Sequence, residues 1–227
     1  MNILVVAAHP DDELLGCGAT VRRLANEGHD VYSVILCANA DARFNRPELS
    51  ALHETAAAAS RAVGIKESVG LDFKNIQFNV YPHLEMVRKI EEAILKFRPR
   101  WVFTHHPGDL NIDHRVCHDV TMTAVMLPQR MSSDLPATMI ERVYVFEILS
   151  STDWSPATFP SFQPNSFFDV AATLETKIAA LENFEGALKP APHSRSAANL
   201  RNLARLRGAQ IGIEAAEAFM LVRDVNI

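Results

Sequence analysis

The chain has 227 residues, 48% of them hydrophobic, with 22 basic and 27 acidic side chains and a formal net charge of −5. That is enough apolar material for a substantial core, and the acidic balance excludes a broad basic surface for nucleic acid. Cys17, Cys37 and Cys117 form no CxxC pair, no apolar run is long enough to span a bilayer, and the first is too short for a signal peptide; a cytoplasmic protein without a disulfide framework is expected.

The first half alternates strand and helix patterns. "NILVVAA" (2–8) is a continuous apolar run of the kind buried on both faces of a sheet. From Leu14 to Glu27, Leu15, Val21 and Leu24 recur at helical spacing, and Gly28 closes the helix. "VYSVILCA" (31–38) reads as a second buried strand, followed by a helix from about Glu48 to Val63 that ends at Gly64. "SVGLDF" (68–73) is a weaker third strand, and "PHLEMVRKIEEAILKF" (82–97) is an amphipathic helix with Pro82 near its start. "WVFTHH" (101–106) and "DHRVCHDVTMTAVML" (113–127) give another strand and helix. This alternation predicts an α/β, Rossmann-like fold with a largely parallel sheet and helices on both faces.

Proline, serine and aromatic residues become common between Ser133 and Phe168. Strands are predicted at "ERVYVFEI" (141–148), "SFFDV" (166–170) and "EAFMLVR" (217–223), and helices over Leu174–Leu188 and Ala197–Ala209. No internal repeat is present. Residues 1–130 read as a metal-binding core, and 131–227 as a cap or oligomerisation portion built onto the same single domain.

The chemistry-bearing residues gather at two strand ends, where ligands bind in parallel α/β sheets. Neither GxGxxG nor GxxxxGK[ST] follows the first strand, and no GxSxG elbow occurs, which argues against a nucleotide-binding Rossmann domain and a serine hydrolase. Instead "AAHPDDE" sets Asp11, Asp12 and Glu13 side by side. Alone, such acids suit a helix N-terminus. His9 and Asp12, three apart at a strand-to-helix junction, can also converge on one point, and a divalent ion there would neutralise the cluster. A catalytic zinc needs three protein ligands and a water. The third ligand is expected from "FTHHPGDLNIDHR", where His105, His106, His114 and His118 compete. His105 and His106 point to opposite faces of their strand, so at most one faces the site, whereas His114 and His118 have HxxxH spacing. Asp11, beside a ligand, would be placed to take a proton from the metal-bound water, a set of parts suited to hydrolysing an amide.

"AHPDDE" followed about a hundred residues later by "HHPGDLNIDHR" resembles the LmbE-like (PIG-L) zinc-dependent N-deacetylases. The likeness extends through "FEILSSTDW", "FQPNSFFDV", "PHSRS" and "AEAF", hence over nearly the whole chain. It implies that His9, Asp12 and His114 bind zinc or another divalent ion, that Asp11 is the general base, and that Asp113 orients a ligand or the catalytic histidine. The implied substrate is an N-acetylated amino sugar, free or conjugated, and the implied assembly is a homo-oligomer such as a hexamer, with no nucleic-acid partner.

One position departs from the family pattern. Many members carry HxDH, and here Asn111 replaces the first histidine. An amide donates a hydrogen bond but delivers no proton. His193 in "PHSRS" is the expected acid, because similar multimeric members insert a C-terminal histidine into the pocket, sometimes from a neighbouring subunit. Asp109 is expected to cap its loop or touch substrate, Arg46 and Asp72 to bind sugar, Arg142 to reach a hydroxyl or phosphate, and Glu13 to support the turn. The expected activity is metal-dependent removal of an N-acetyl group from an amino sugar. Its rivals are an amidase acting on a larger sugar conjugate, a phosphate-transferring enzyme with an aspartate nucleophile, and a non-catalytic metal or sugar binder. Adjacent acids in place of DxD disfavour the second rival, and an intact Asp11 disfavours the third.

Overall fold

The computed structural model describes residues 1–39, 48–126 and 140–226. Seven strands form one sheet in the order β3-β2-β1-β4-β5-β7-β6. These are β1 (Asn2–Ala7), β2 (Asp30–Ile35), β3 (Ile65–Gly70), β4 (Trp101–His105), β5 (Arg142–Phe146), β6 (Ser166–Asp169) and β7 (Ala216–Asp224). β1 to β5 run parallel, while β7 is antiparallel to both β5 and β6. The strand order reverses beside β1, so a crevice opens between the carboxyl ends of β1 and β4, where such sheets take ligands.

The sheet separates two apolar layers. Along β1, Ile3 and Val5 enter one and Leu4 and Val6 the other, the period-two alternation of a strand covered on both faces. Helices α1 (Asp12–Asn26) and α2 (Leu49–Val63) pack on one face, joined by α5 (Leu174–Glu182) and α6 (Ala197–Ala209). Helices α3 (His83–Phe97) and α4 (Ile112–Val125) pack against each other on the opposite face. The C-terminal strands lengthen the sheet, and α5 covers α1 and α2. Among the described residues no helix is long and apolar enough to cross a membrane.

Two boundaries differ from the sequence reading. The third strand occupies Ile65–Gly70 rather than 68–73, because Gly64 ends α2 at φ 92 and the chain enters the sheet at once. Its exposed Lys66 and Glu67 mark it as an edge strand. The helix expected over 174–188 stops at Glu182; Phe184 and Ala187 still reach the core, but from turns, with Gly186 at φ 79.

α1 is broken at Cys17 (φ −145, ψ 17), and buried side chains from the C-terminal half brace the break. Lys177 of α5 donates to Leu15 O and to the Glu217 carboxylate, both at 2.6 Å. Glu217 of β7 accepts from Ala19 N (3.2 Å) and Thr20 N (2.7 Å), capping the second segment as an N-cap residue would. Gly16 lies just before the break, where a Cβ would fall 2.3 Å from the Phe146 ring, so the approach of α1 to β5 requires glycine. The short first segment of α1 is thereby fixed with its acids at the end of β1.

Candidate metal centre and active site

His9 lies in the turn between β1 and α1, Asp12 is the first residue of α1, and His114 lies in the first turn of α4. One potential ligand atom from each falls within 4.8 Å of the others, and all three residues line a cavity of about 540 Å³. Asp12 Oδ2 is the hub: it is 3.2 Å from His9 Nδ1 and 3.3 Å from His114 Nε2, and it accepts from His9 N at 2.9 Å. The second nitrogen of each imidazole meets a different carboxylate. His9 Nε2 is 2.9 Å from Asp113 Oδ2, and His114 Nδ1 is 3.2 Å from Asp109 Oδ2. Outer carboxylates that fix ring orientation and tautomer in this way are characteristic of metal-binding histidines. Two imidazoles and a carboxylate, converging with their outer nitrogens already engaged, fit a zinc-type ion.

The electrostatics of the metal-free cluster follow from this packing. Burial opposes charge on Asp12, yet His114, His9 and His105 outweigh it and hold the carboxyl well below its usual range. Burial likewise opposes a charged His114, but Asp12 and Asp109 push its pKa up to about 10. Asp109, buried, is held at about 2 by His114 and the Ser151 hydroxyl. Burial raises Glu13 to about 8, with the charges of Asp11 and Asp12 adding to it.

Asp11 occupies the N-cap position of α1 at φ 98 but makes no side-chain capping bond, and it lines the cavity. Four described residues other than glycine have positive φ, and three of them, Asp11, Ile76 (φ 57) and Ser150 (φ 73), line this cavity. Such backbone costs about 1–3 kcal/mol per residue and gathers at functional sites. For β-branched Ile76 it is a genuine outlier, held by a 2.5 Å bond from its N–H to Asp113 Oδ2. Asp113 also accepts from Phe78 N at 3.0 Å, so one carboxylate ties the cavity wall to His9. Asn111 lines the cavity as the N-cap of α4, its side-chain oxygen accepting from Asp113 N at 2.9 Å.

Other expected residues are placed differently. Asp109 is fully buried and absent from the cavity wall; it caps its loop by accepting from Asn111 N, and it also accepts from Thr152 and Ser151 and faces His114. Arg142 begins β5, at the opposite end of the sheet from the site, where it pairs with Asp224 (3.1 Å) and lies over Trp101. Asp72 bridges to Cys37 and lines a separate cavity with Glu13 and His53. Arg46 lies outside the described residues. His193 is exposed and absent from the cavity wall, its Nδ1 accepting from Arg195 N at 3.0 Å.

The competing histidines also have other partners. His105 accepts from Ala8 N at 2.9 Å, and burial keeps its pKa well below the usual value. His106 accepts from Gly108 N, and His118 pairs with Asp119. Sequence reasoning missed Asn75, Ile76, Ser150, Ser151 and Arg195 in the wall. "SSTDW" and "PHSRS" carried the last three as matching text without roles.

The chain is an open, mostly parallel α/β sheet with a His-Asp-His cluster, able to hold a metal ion, at its switch point. The chain belongs to the PIG-L family, described as GlcNAc-PI de-N-acetylase, which matches residues 4–125. It is 26% identical over 236 aligned residues to the diacetylchitobiose deacetylase of Thermococcus kodakarensis, covering 99% of this chain and 84% of that one. The N,N'-diacetylchitobiose deacetylase of Pyrococcus horikoshii shares the fold at TM-score 0.78 and 20% identity, over 98% of this chain and 84% of that one. The 4-carboxy-2-hydroxymuconate hydratase of Pseudomonas putida KT2440 shares it at TM-score 0.80 and 19% identity, over 100% and 98%. The fold therefore serves more than one reaction, and function must be argued from the site.

Proposed function

We propose that the protein is a metal-dependent N-deacetylase that removes the acetyl group from an amino sugar or amino-sugar conjugate. The observation carrying this reading is the convergence of His9, Asp12 and His114 in an open cavity with Asp11 in the same wall. Deacetylases among the relatives, including one acting on diacetylchitobiose, support it. His9, Asp12 and His114 would hold the ion, for which zinc suits the donor set, though such sites accept other divalent ions. When bound, the ion supplies Lewis acidity and lowers the pKa of a bound water to about 7.

The protein's own groups do the rest. Asp11 takes a proton from the attacking water, a contribution worth roughly 10²–10⁴ in rate. Asp109 and Asp113 hold the two imidazoles in their tautomers, and Asn111 offers its amide N–H to substrate. The strained Ile76 and Ser150 shape the wall against the sugar. The reading includes a single domain over 1–227, a cytoplasmic location and a homo-oligomer, a hexamer being the arrangement that the resemblance implies; sedimentation of the purified chain decides the last.

The test is a screen for acetate release from N-acetyl sugars and their nucleotide conjugates by the zinc-loaded protein, with Asp11→Asn as the blank. Release by the wild type and a loss of at least a hundredfold in the variant are expected. No acetate from any substrate, or equal release by both proteins, sinks the reading.

A further inference from the structure

One cation in the cavity wall belongs neither to the metal cluster nor to the paired motifs. Arg195 sits between Pro192 and the start of α6, and it is the only permanently charged cation among the described residues lining the cavity. Its backbone is pinned: Arg195 N donates to His193 Nδ1 (3.0 Å), and its carbonyl accepts from Lys189 N (3.1 Å). Ser196, next in the chain, caps α6 through Asn199 N.

The guanidinium, in contrast, has an unfilled donor. Its Nε is buried with no hydrogen-bond partner. Its Nη1 stands 3.6 Å from Asp11 Oδ2, an ion-pair distance too long for a hydrogen bond. A guanidinium presents five donors in a rigid fork, and a buried donor left unpaired is costly unless a ligand fills it. The fork beside Asp11, with its Nε unpaired, therefore marks a place for an oxygen with negative charge.

We propose that Arg195 is a catalytic residue, whose guanidinium hydrogen-bonds the scissile carbonyl oxygen as that oxygen gains negative charge. The inference rests on the deacetylase reading, in which Asp11 activates the attacking water. The reacting carbon must then lie within about 3–3.5 Å of that water, and a guanidinium beside Asp11 reaches the substituents of that carbon. Asn111 has its side-chain oxygen committed to Asp113 N, so position 111 supplies at most a neutral donor. A charged donor aimed at a developing oxyanion is the more effective device. Arginine keeps its proton at any working pH, so Arg195 stabilises charge and moves no proton.

The experiment compares wild type, Arg195→Gln and Arg195→Lys, all zinc-loaded. The first readout needs no turnover: calorimetric binding of methylphosphonate, a tetrahedral anion, and of acetate, a planar one. Arg195→Gln should weaken methylphosphonate at least tenfold, acetate less, with Lys in between. On the N-acetyl sugar that the wild type hydrolyses, Arg195→Gln should lower kcat by roughly 10²–10³ with little change in KM. That factor should be the same at every pH, with zinc content and Tm unaltered. Equal methylphosphonate affinity in wild type and Arg195→Gln overturns the inference, as does a loss confined to KM or an acid limb that moves with the substitution. If the wild type releases no acetate at all, the deacetylase reading falls by itself and the phosphonate comparison still decides whether Arg195 is an oxyanion donor.

Discussion

Replacing Lys177 by methionine should destabilise the fold far more than removing a surface lysine. The Lys177 and Glu217 side chains are 6% and 8% exposed and 2.6 Å apart. Taking away the ammonium leaves a buried carboxylate whose remaining partners are two backbone N–H groups, and it strips Leu15 O of its donor. Breaking a buried pair from one side costs about 3–5 kcal/mol. For a chain of this length each kcal/mol is worth roughly 2–4 °C in Tm, so a fall of about 6–20 °C is expected. The double variant Lys177→Met with Glu217→Gln removes the uncompensated charge and should recover part of the loss. A coupling energy on the order of 2–3 kcal/mol then closes the cycle. The measurement is urea unfolding of the metal-free protein with chelator present, so that metal binding does not mask the change. A loss under about 1 kcal/mol for Lys177→Met, or strictly additive singles, would refute the claim that this pair splices the broken α1.

Two further predictions concern the metal centre. Asp109→Asn keeps an acceptor for Ser151 but weakens the hold on His114 Nδ1, so zinc affinity measured against a competing chelator should fall about 10–100-fold; unchanged affinity counts against an orienting role. His114, pushed up to about 10 in the metal-free protein, is protonated at pH 7, whereas a metal requires the neutral ring. Zinc binding at pH 7 should therefore release about one proton, read from heats in buffers of different ionisation enthalpy, and no release would sink the assignment. The sign for stability follows from the same shift: the raised pKa means that His114 stabilises the metal-free fold fully below its unfolded pKa near 6.5, and that this contribution is lost as pH climbs through about 10.

The fold was largely legible because β1, β2 and β4 are short apolar runs ended by turns, and their helices carry a clear period. β3 was misplaced by three residues because an edge strand with Lys66 and Glu67 lacks the apolar run that the reading depended on. His9, Asp12 and His114 were also legible as candidates, since each is set by a local event, a strand end running into a helix start. The contact of Asp109 with His114 and the place of Arg142 were not. Asp109 is decided by Ser151 and Thr152, forty-odd residues away, which bury it behind His114. Arg142 is decided by strand polarity: as the first residue of a parallel strand it sits at the end opposite the ligand crevice.

"PHSRS" joins an expected proton donor, His193, to a cation that the sequence reading did not single out. Position 111 lacks a histidine, and the resemblance makes His193, a C-terminal histidine of the kind that multimeric members insert, sometimes from a neighbouring subunit, the expected proton donor. The backbone of this segment bonds its own imidazole, Arg195 N to His193 Nδ1, which engages the ring locally. Two residues on, the chain offers the cavity a permanent cation 3.6 Å from Asp11. A histidine there could shuttle protons; an arginine can only stabilise charge. In the mechanism proposed above, Asp11, once it has taken a proton from water, is the group in the wall placed to hand it to the leaving amine, with Arg195 beside it to compensate negative charge.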